Sequence, residues 1–177
     1  QGGTGSGKST SGTTMMEAAR VSGMPLTVFD LEGQFGKLRE SCPGTIVIGG
    51  DDGALPLDTE TIAAVAAEAF RNGASFVIRL HEHSVTDQRK MVADVLRVPM
   101  DLPRAFWGKR LIVIDEVHVV APQNGFSEAT EPLAQVAARG RRRGYRLLLM
   151  TQRIAWTHKN VITQCLNLVA GRNRFGA

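Results

Sequence analysis

An α/β fold with a mainly parallel sheet sandwiched by helices is predicted by three features of this 177-residue chain. Short apolar runs alternate with longer stretches of helical periodicity, a glycine-rich stretch opens the first of those, and one apolar run stops abruptly at two adjacent carboxylates. Strands separated by helices need crossover connections, which lay successive strands parallel and place helices on both faces. With 43% hydrophobic and 21% charged residues, the composition is that of an ordinary globular domain. Disordered, fibrous and disulfide-stapled classes are excluded. At this length a single domain over residues 1–177 is the natural count, able to bury about two-thirds of its unfolded surface.

The elements follow in order. A helix is predicted over 8–21, directly after the glycines, and a strand over the apolar run 26–29. The run 45–48 gives the next strand. Asp58 is placed to cap a helix over 59–71, which leads to a strand over 75–78. Ser84, with Asp87 in the first turn, caps a helix over 85–98. The strand 111–114, a helix over 128–139 and a strand over 146–150 come next, followed by a short helix over 159–165 and a last strand over 166–170. Linkers are short, and no repeat or low-complexity tract divides the chain. A glycine-rich loop of this kind ordinarily follows a buried strand, and the other end stops just after the apolar run 166–170, so truncation at both ends is expected.

The opening residues Gly2, Gly3, Thr4, Gly5, Ser6, Gly7, Lys8 and Ser9 satisfy GxxxxGK[ST], the Walker A phosphate loop, with Thr10 next in line. Glycines are needed there because consecutive backbone N–H groups must turn inward around a phosphate. Lys8 neutralises β- and γ-oxygens, the Ser9 hydroxyl ligates Mg²⁺, and the helix that begins here adds its positive dipole end. Binding of a nucleoside triphosphate is the strongest single inference. The run 111–114 ends in Asp115 and Glu116, the Walker B pattern, at the strand end where ligands sit in open α/β sheets. Asp115 would hold the Mg²⁺ hydration shell and Glu116 would polarise an attacking water. A Glu at that place favours hydrolysis over mere binding.

Other residues carry less. Thr151 and Gln152 close the strand after Walker B, which makes Gln152 a sensor candidate for γ-phosphate or water and Thr151 an accessory. The cluster Arg139, Arg141, Arg142 and Arg143, flanked by glycines, fits a solvated turn, a DNA-phosphate contact or an arginine finger; Arg172 is a second finger candidate. Asp30 either orients a group near the nucleotide or caps a β-turn. His81 and His83 have metal-ligand spacing without a third ligand, so a polar loop is the better reading. His118 makes a DExH-like string, read as accidental, and Phe106 and Trp107 are expected to pack ahead of the Walker B strand.

Charge is uneven beneath the net +4. Residues 1–131 hold 12 basic against 17 acidic side chains, whereas 132–177 hold 9 basic and none acidic. Such a block suits a solvated face, phosphate reading or nucleic acid alike. Cys42 and Cys165 stand far apart, outlining neither a disulfide framework nor a zinc site, which points to a reducing compartment. No run approaches the roughly 18 to 20 apolar residues of a membrane span, and no export signal opens the chain. A cytoplasmic location is expected.

The motifs together resemble the HerA/FtsK-type translocase ATPases, a group that includes DNA pumps, conjugation ATPases and viral genome-packaging ATPases. The matching strings are GGTGSGKS at 2–9, VFDLEGQF at 28–35, LIVIDEVHVVAP at 111–122, ARGRRRGYRLLLMTQR at 138–153 and VITQCLNLVAGR at 161–172. They cover most of the chain in the family's order. The resemblance implies a RecA-like, ASCE-type P-loop core that binds ATP and Mg²⁺, in which Lys8 and Ser9 hold phosphate and metal, Asp115 and Glu116 are the Walker B pair, and Gln152 is the sensor. It makes Arg141 the best match to an arginine acting on a neighbouring subunit. It further implies a homo-oligomer, a hexameric ring threading double-stranded DNA, and virion association if the motor is viral. Asp30-Leu31-Glu32 departs from the Asp-Pro-type turn common in that family. Two other readings draw on the same residues: a regulatory or effector ATPase that moves no DNA, and a small-molecule P-loop kinase with the arginines in a lid.

Overall fold

The computed structural model describes residues 7–51 and 53–169. Five strands run parallel in the order β2-β3-β1-β4-β5, with β1 Leu26–Asp30, β2 Thr45–Ile48, β3 Ser75–Arg79, β4 Arg110–Ile114 and β5 Tyr145–Leu149. The helices are α1 Lys8–Val21, α2 Leu38–Ser41, α3 Ile62–Arg71, α4 Val85–Asp101, α5 Val117–Val120, α6 Thr130–Arg139 and α7 Lys159–Ile162. Side chains on a strand alternate between faces, and here each face has its own apolar core. Leu26, Val28, Val77, Leu111 and Val113 pack with Met16 of α1 and Leu38 of α2. Phe29, Phe76, Ile78, Ile112 and Ile114 pack on the opposite face against α3, α4, α5 and α6. Because β1, β3 and β4 are covered on both faces, they read as uninterrupted apolar runs.

Two predicted boundaries shift for local reasons. Asp58 accepts from the Glu60 N–H at 2.9 Å and the Thr61 hydroxyl at 3.0 Å, so it caps a turn ahead of α3, which begins at Ile62 rather than at 59. Helix α4 runs past the expected stop at 98 and carries Pro99 in its last turn, whose carbonyls lack helical partners. Arg143 supplies partners there, donating to Pro99 O at 3.1 Å and Met100 O at 2.7 Å. The Ser84 cap is as predicted: its hydroxyl accepts from the Asp87 N–H at 3.2 Å.

The last strand, predicted over 166–170, is a correction. Residues 166–169 form no strand and lie exposed, Leu166 at 80%, Leu168 at 75% and Val169 at 70%; residue 170 falls outside the described ones. An apolar run becomes a strand only where a neighbouring ladder accepts its backbone groups, and no described strand pairs with this one.

All five strands being parallel, their carboxyl ends share one rim and their amino ends the other. At the amino rim, Trp107 follows the 3₁₀ turn Arg104–Phe106 and donates its indole N–H to Leu102 O at 3.0 Å, packing just ahead of β4 as expected, whereas Phe106, expected to pack with it, is 40% exposed. The arginine turn meets the same rim: Gly144 has φ 97°, and a Cβ there would stand 2.5 Å from Gly108 O. Both the left-handed backbone and the contact demand glycine. A Gly144→Ala protein is expected to lose about 2 kcal/mol or more of stability, read as a lower urea midpoint, because backbone rather than a movable side chain blocks the methyl. An unchanged midpoint would show that the turn relaxes freely.

Candidate active site

Helix α1 starts at Lys8, after Gly7 in the left-handed region at φ 72°. The Gly7 carbonyl accepts from the Ser11 N–H at 2.8 Å, which fixes the first turn and aims Lys8 across the carboxyl rim. There its ammonium donates to Asp115 Oδ1 at 2.8 Å and also contacts Glu116 Oε1. Asp115 and Glu116 follow β4, and both are buried. Gln152 follows β5, the neighbour of β4, and donates through Nε2 to Glu116 Oε1 at 3.2 Å and through its backbone N–H to Oε2 at 3.4 Å. Lys8, Asp115, Glu116 and Gln152, separated by up to 144 positions, thus meet in one place. Thr10 lies exposed in the first turn of α1, and Gly2, Gly3, Thr4, Gly5 and Ser6 fall outside the described residues.

Electrostatics hold the Lys8 ammonium charged. Burial alone would lower the Lys8 pKa, but the hydrogen bonds and charges of Asp115 and Glu116 outweigh it and hold the ammonium protonated. Burial pushes Asp115 upward, opposed by Lys8. Glu116 has φ 42° and ψ 52°, the one non-glycine residue with positive φ among the described residues. Holding a Glu in that conformation costs about 1–3 kcal/mol, and such strain collects at functional sites.

Asp30 resolves to the turn-capping alternative. Its carboxylate accepts from the backbone N–H of Gln34 at 2.8 Å and of Phe35 at 2.9 Å, folding the segment after β1 over the rim. That turn delivers Gln34, whose side-chain oxygen accepts from the Ser9 hydroxyl, while its Nε2 donates to Glu32 Oε2 at 2.6 Å. Gln34 was not singled out by sequence; its position four residues past the end of β1, a strand next to β4, is the signal that could have found it. His118 was likewise set aside, yet its Nδ1 lies 3.1 Å from Glu116 Oε2 and 3.0 Å from Thr151 Oγ1.

The donors fit Mg²⁺. Asp115 Oδ2 is buried without a hydrogen-bond partner, and the Ser9 hydroxyl stands in the first turn of the helix whose Lys8 reaches the same carboxylate. Among the described residues no cluster of three His, Cys, Asp or Glu could hold a metal by itself. One carboxylate and one hydroxyl, completed by phosphate oxygens and water, is the arrangement Mg²⁺ takes beside a nucleotide.

The arginine cluster lies elsewhere. It precedes β5 and so occupies the amino rim, about 16 Å from the site by the length of a five-residue strand. Arg143 is committed to the carbonyls of Pro99 and Met100 and stacks over Trp107 at 4.6 Å, whereas Arg139, Arg141 and Arg142 are exposed. Arg141 therefore does not meet the residues of its own chain's site. Arg172 falls outside the described residues.

No known family model matches the chain. A curated relative, the probable helicase MJ1565 of Methanocaldococcus jannaschii, is 29% identical over 105 residues, which are 59% of this chain and 19% of that protein. Among solved structures, the genome packaging NTPase B204 of Sulfolobus turreted icosahedral virus 2 superposes in its ATPγS complex over 91% of this chain with a TM-score of 0.55 at 15% identity. Its AMPPCP complex gives 0.54 at 13% identity. The chain spans about a fifth of the length of the curated relative and 66% of the packaging NTPase. These likenesses bear out the RecA-like P-loop fold. No helix among the described residues is long and apolar enough to cross a membrane.

Proposed function

We propose that this chain is the ATPase core of a DNA-translocating motor that works as a ring-shaped homo-oligomer, most simply a hexamer. One observation carries the reading: Lys8, Asp115, Glu116 and Gln152 gather at the carboxyl rim while the arginine cluster stands at the opposite rim, so an arginine of that cluster reaches such a site only on another copy. The solved likenesses were both obtained with ATP analogues, which supports ATP as the nucleotide, and one relative is described as a helicase.

In this reading Lys8 exchanges its carboxylate partners for the β- and γ-oxygens when ATP enters. Freed of Lys8, Glu116 Oε1 can take a proton from the attacking water. Gln152, within hydrogen-bond reach of that same oxygen, orients the water in line with the γ-phosphoryl group. Ser9 and Asp115 would hold Mg²⁺, which would supply neutralisation of phosphate charge. Arg141 of an adjacent copy stabilises the charge that develops on the γ-phosphate.

ATPase rate with and without duplex DNA, alongside mass in solution, tests the proposal. Duplex DNA is expected to raise turnover several-fold, with a rate per chain that climbs with protein concentration and a DNA affinity that falls steeply with salt. Hydrolysis indifferent to DNA would turn the reading to a regulatory ATPase, and a monomer that phosphorylates an acceptor would turn it to a kinase.

A further inference from the structure

His118 sits in the first turn of α5, directly behind the paired acids. Its Nδ1 is 3.1 Å from Glu116 Oε2 and 3.0 Å from Thr151 Oγ1, and its side chain is only 14% exposed. Thr151 Oγ1 also accepts from the Arg153 N–H at 2.9 Å, so the hydroxyl is fixed from its other side. Burial lowers the His118 pKa despite the nearby Glu116 charge, which favours the neutral imidazole. The tautomer with hydrogen on Nδ1 lets the ring donate to Thr151 Oγ1, with Glu116 Oε2 in contact at 3.1 Å.

The consequence lies in how Glu116 is held. Its backbone sits in the left-handed region, outside helix and strand geometry, and its carboxylate is fixed by side-chain and backbone contacts. Oε1 faces Lys8 and the Gln152 amide, the side where water and γ-phosphate belong in the proposed reaction. Oε2 is held from behind by His118 and, at 3.4 Å, by the Gln152 N–H. His118 is thus the side chain that touches both the base and the strand tip carrying Gln152.

We propose that His118 is a positioning residue for hydrolysis: hydrogen-bonded to Thr151 at the tip of β5, its ring packs Nδ1 against Glu116 Oε2 and so sets the line along which Oε1 meets the attacking water. The assignment rests on Glu116 acting as general base. A histidine that only packs α5 against the sheet would matter to stability and not to that line.

The test compares His118→Ala, His118→Asn and His118→Gln in the full chain by steady-state ATPase kinetics, ATPγS binding and thermal melting. The Asn amide nitrogen occupies the place of Nδ1, whereas the Gln amide reaches the place of Nε2. In His118→Ala, kcat is expected to fall on the order of tenfold to a hundredfold, as for a misaligned reacting group. KM for ATP and the ATPγS affinity should stay within about twofold of the parent, on the same argument of alignment without lost binding. Asn should recover much of kcat and Gln little. The inference is overturned if kcat survives in His118→Ala, if its loss tracks ATPγS affinity or melting temperature, or if Gln restores turnover as well as Asn. Should the Ala protein fail to fold, the Asn and Gln pair decides alone. Retained hydrolysis in Glu116→Gln would instead sink the base assignment, so the two failures are told apart.

Discussion

A Glu116→Gln protein will bind ATP and fail to hydrolyse it, with kcat reduced by at least a hundredfold. The magnitude follows from the share of rate that a positioned general base contributes, on the order of 10²–10⁴. Retained binding follows from the geometry of the ligand-free site. Lys8 stands between Asp115 and Glu116, so an incoming phosphate must compete with both carboxylates for the same ammonium. Replacing one carboxylate with a neutral amide weakens that competition and leaves Asp115 in place, and affinity for ATPγS should therefore hold or improve. Lys8→Ala differs in kind, because it removes the cation itself and should lose binding as well as turnover. Measuring affinity and single-turnover hydrolysis together distinguishes the two. A Glu116→Gln protein that lost affinity along with turnover would mean that the paired acids hold the site together rather than serve in the reaction.

The residues that meet at the carboxyl rim were legible in the sequence for a physical reason. In a parallel sheet buried on both faces the strands read as apolar runs, and the first polar residues after each run must lie on the same edge. Asp115, Glu116 and Gln152 are such residues, and β4 and β5 are neighbours. Short elements without a full period were not legible: α2 and α5 have four residues each, too few to show 3.6-residue recurrence. The run at 166–170 misled because its apolar content gave no information on whether a neighbouring strand would accept its backbone. Gln34 and His118 escaped because each acts through a contact made across the rim, with Ser9 in one case and with Glu116 and Thr151 in the other. Sequence spacing sets Gln34 and His118 just past strand ends but carries no trace of which partners they meet there. Asp30 illustrates the converse: a strand-end carboxylate in a suggestive place that spends both oxygens on backbone N–H groups.

Mixing two inactive proteins should restore turnover. Arg141→Ala keeps Lys8, Asp115, Glu116 and Gln152 but offers no finger to its neighbour; Lys8→Ala lacks the phosphate contact but still presents Arg141. In a mixed ring, a site built from an Arg141→Ala chain with a Lys8→Ala chain beside it holds every group the reaction needs. Position makes this a strong expectation, since Arg141 lies exposed at the amino rim, a full strand length from the phosphate end of its own sheet. An arginine acting within its own chain would have to cross the thickness of the domain. Arginine fingers contribute on the order of 10³–10⁵ in turnover, so Arg141→Ala alone should bind ATPγS normally and hydrolyse at a small fraction of the parent rate. The mixture should then recover activity measurable well above the sum of the two, increasing with total protein concentration because assembly is required. The same experiment with Arg143→Ala provides the contrast. Arg143 donates to Pro99 and Met100 and stacks on Trp107, so its loss should lower the melting temperature and should not be complemented by Lys8→Ala protein. Mixtures of Arg141→Ala with Lys8→Ala that stay silent at all concentrations would remove Arg141 as the finger, leaving Arg139 and Arg142 as the exposed arginines of the same turn to be tried in its place.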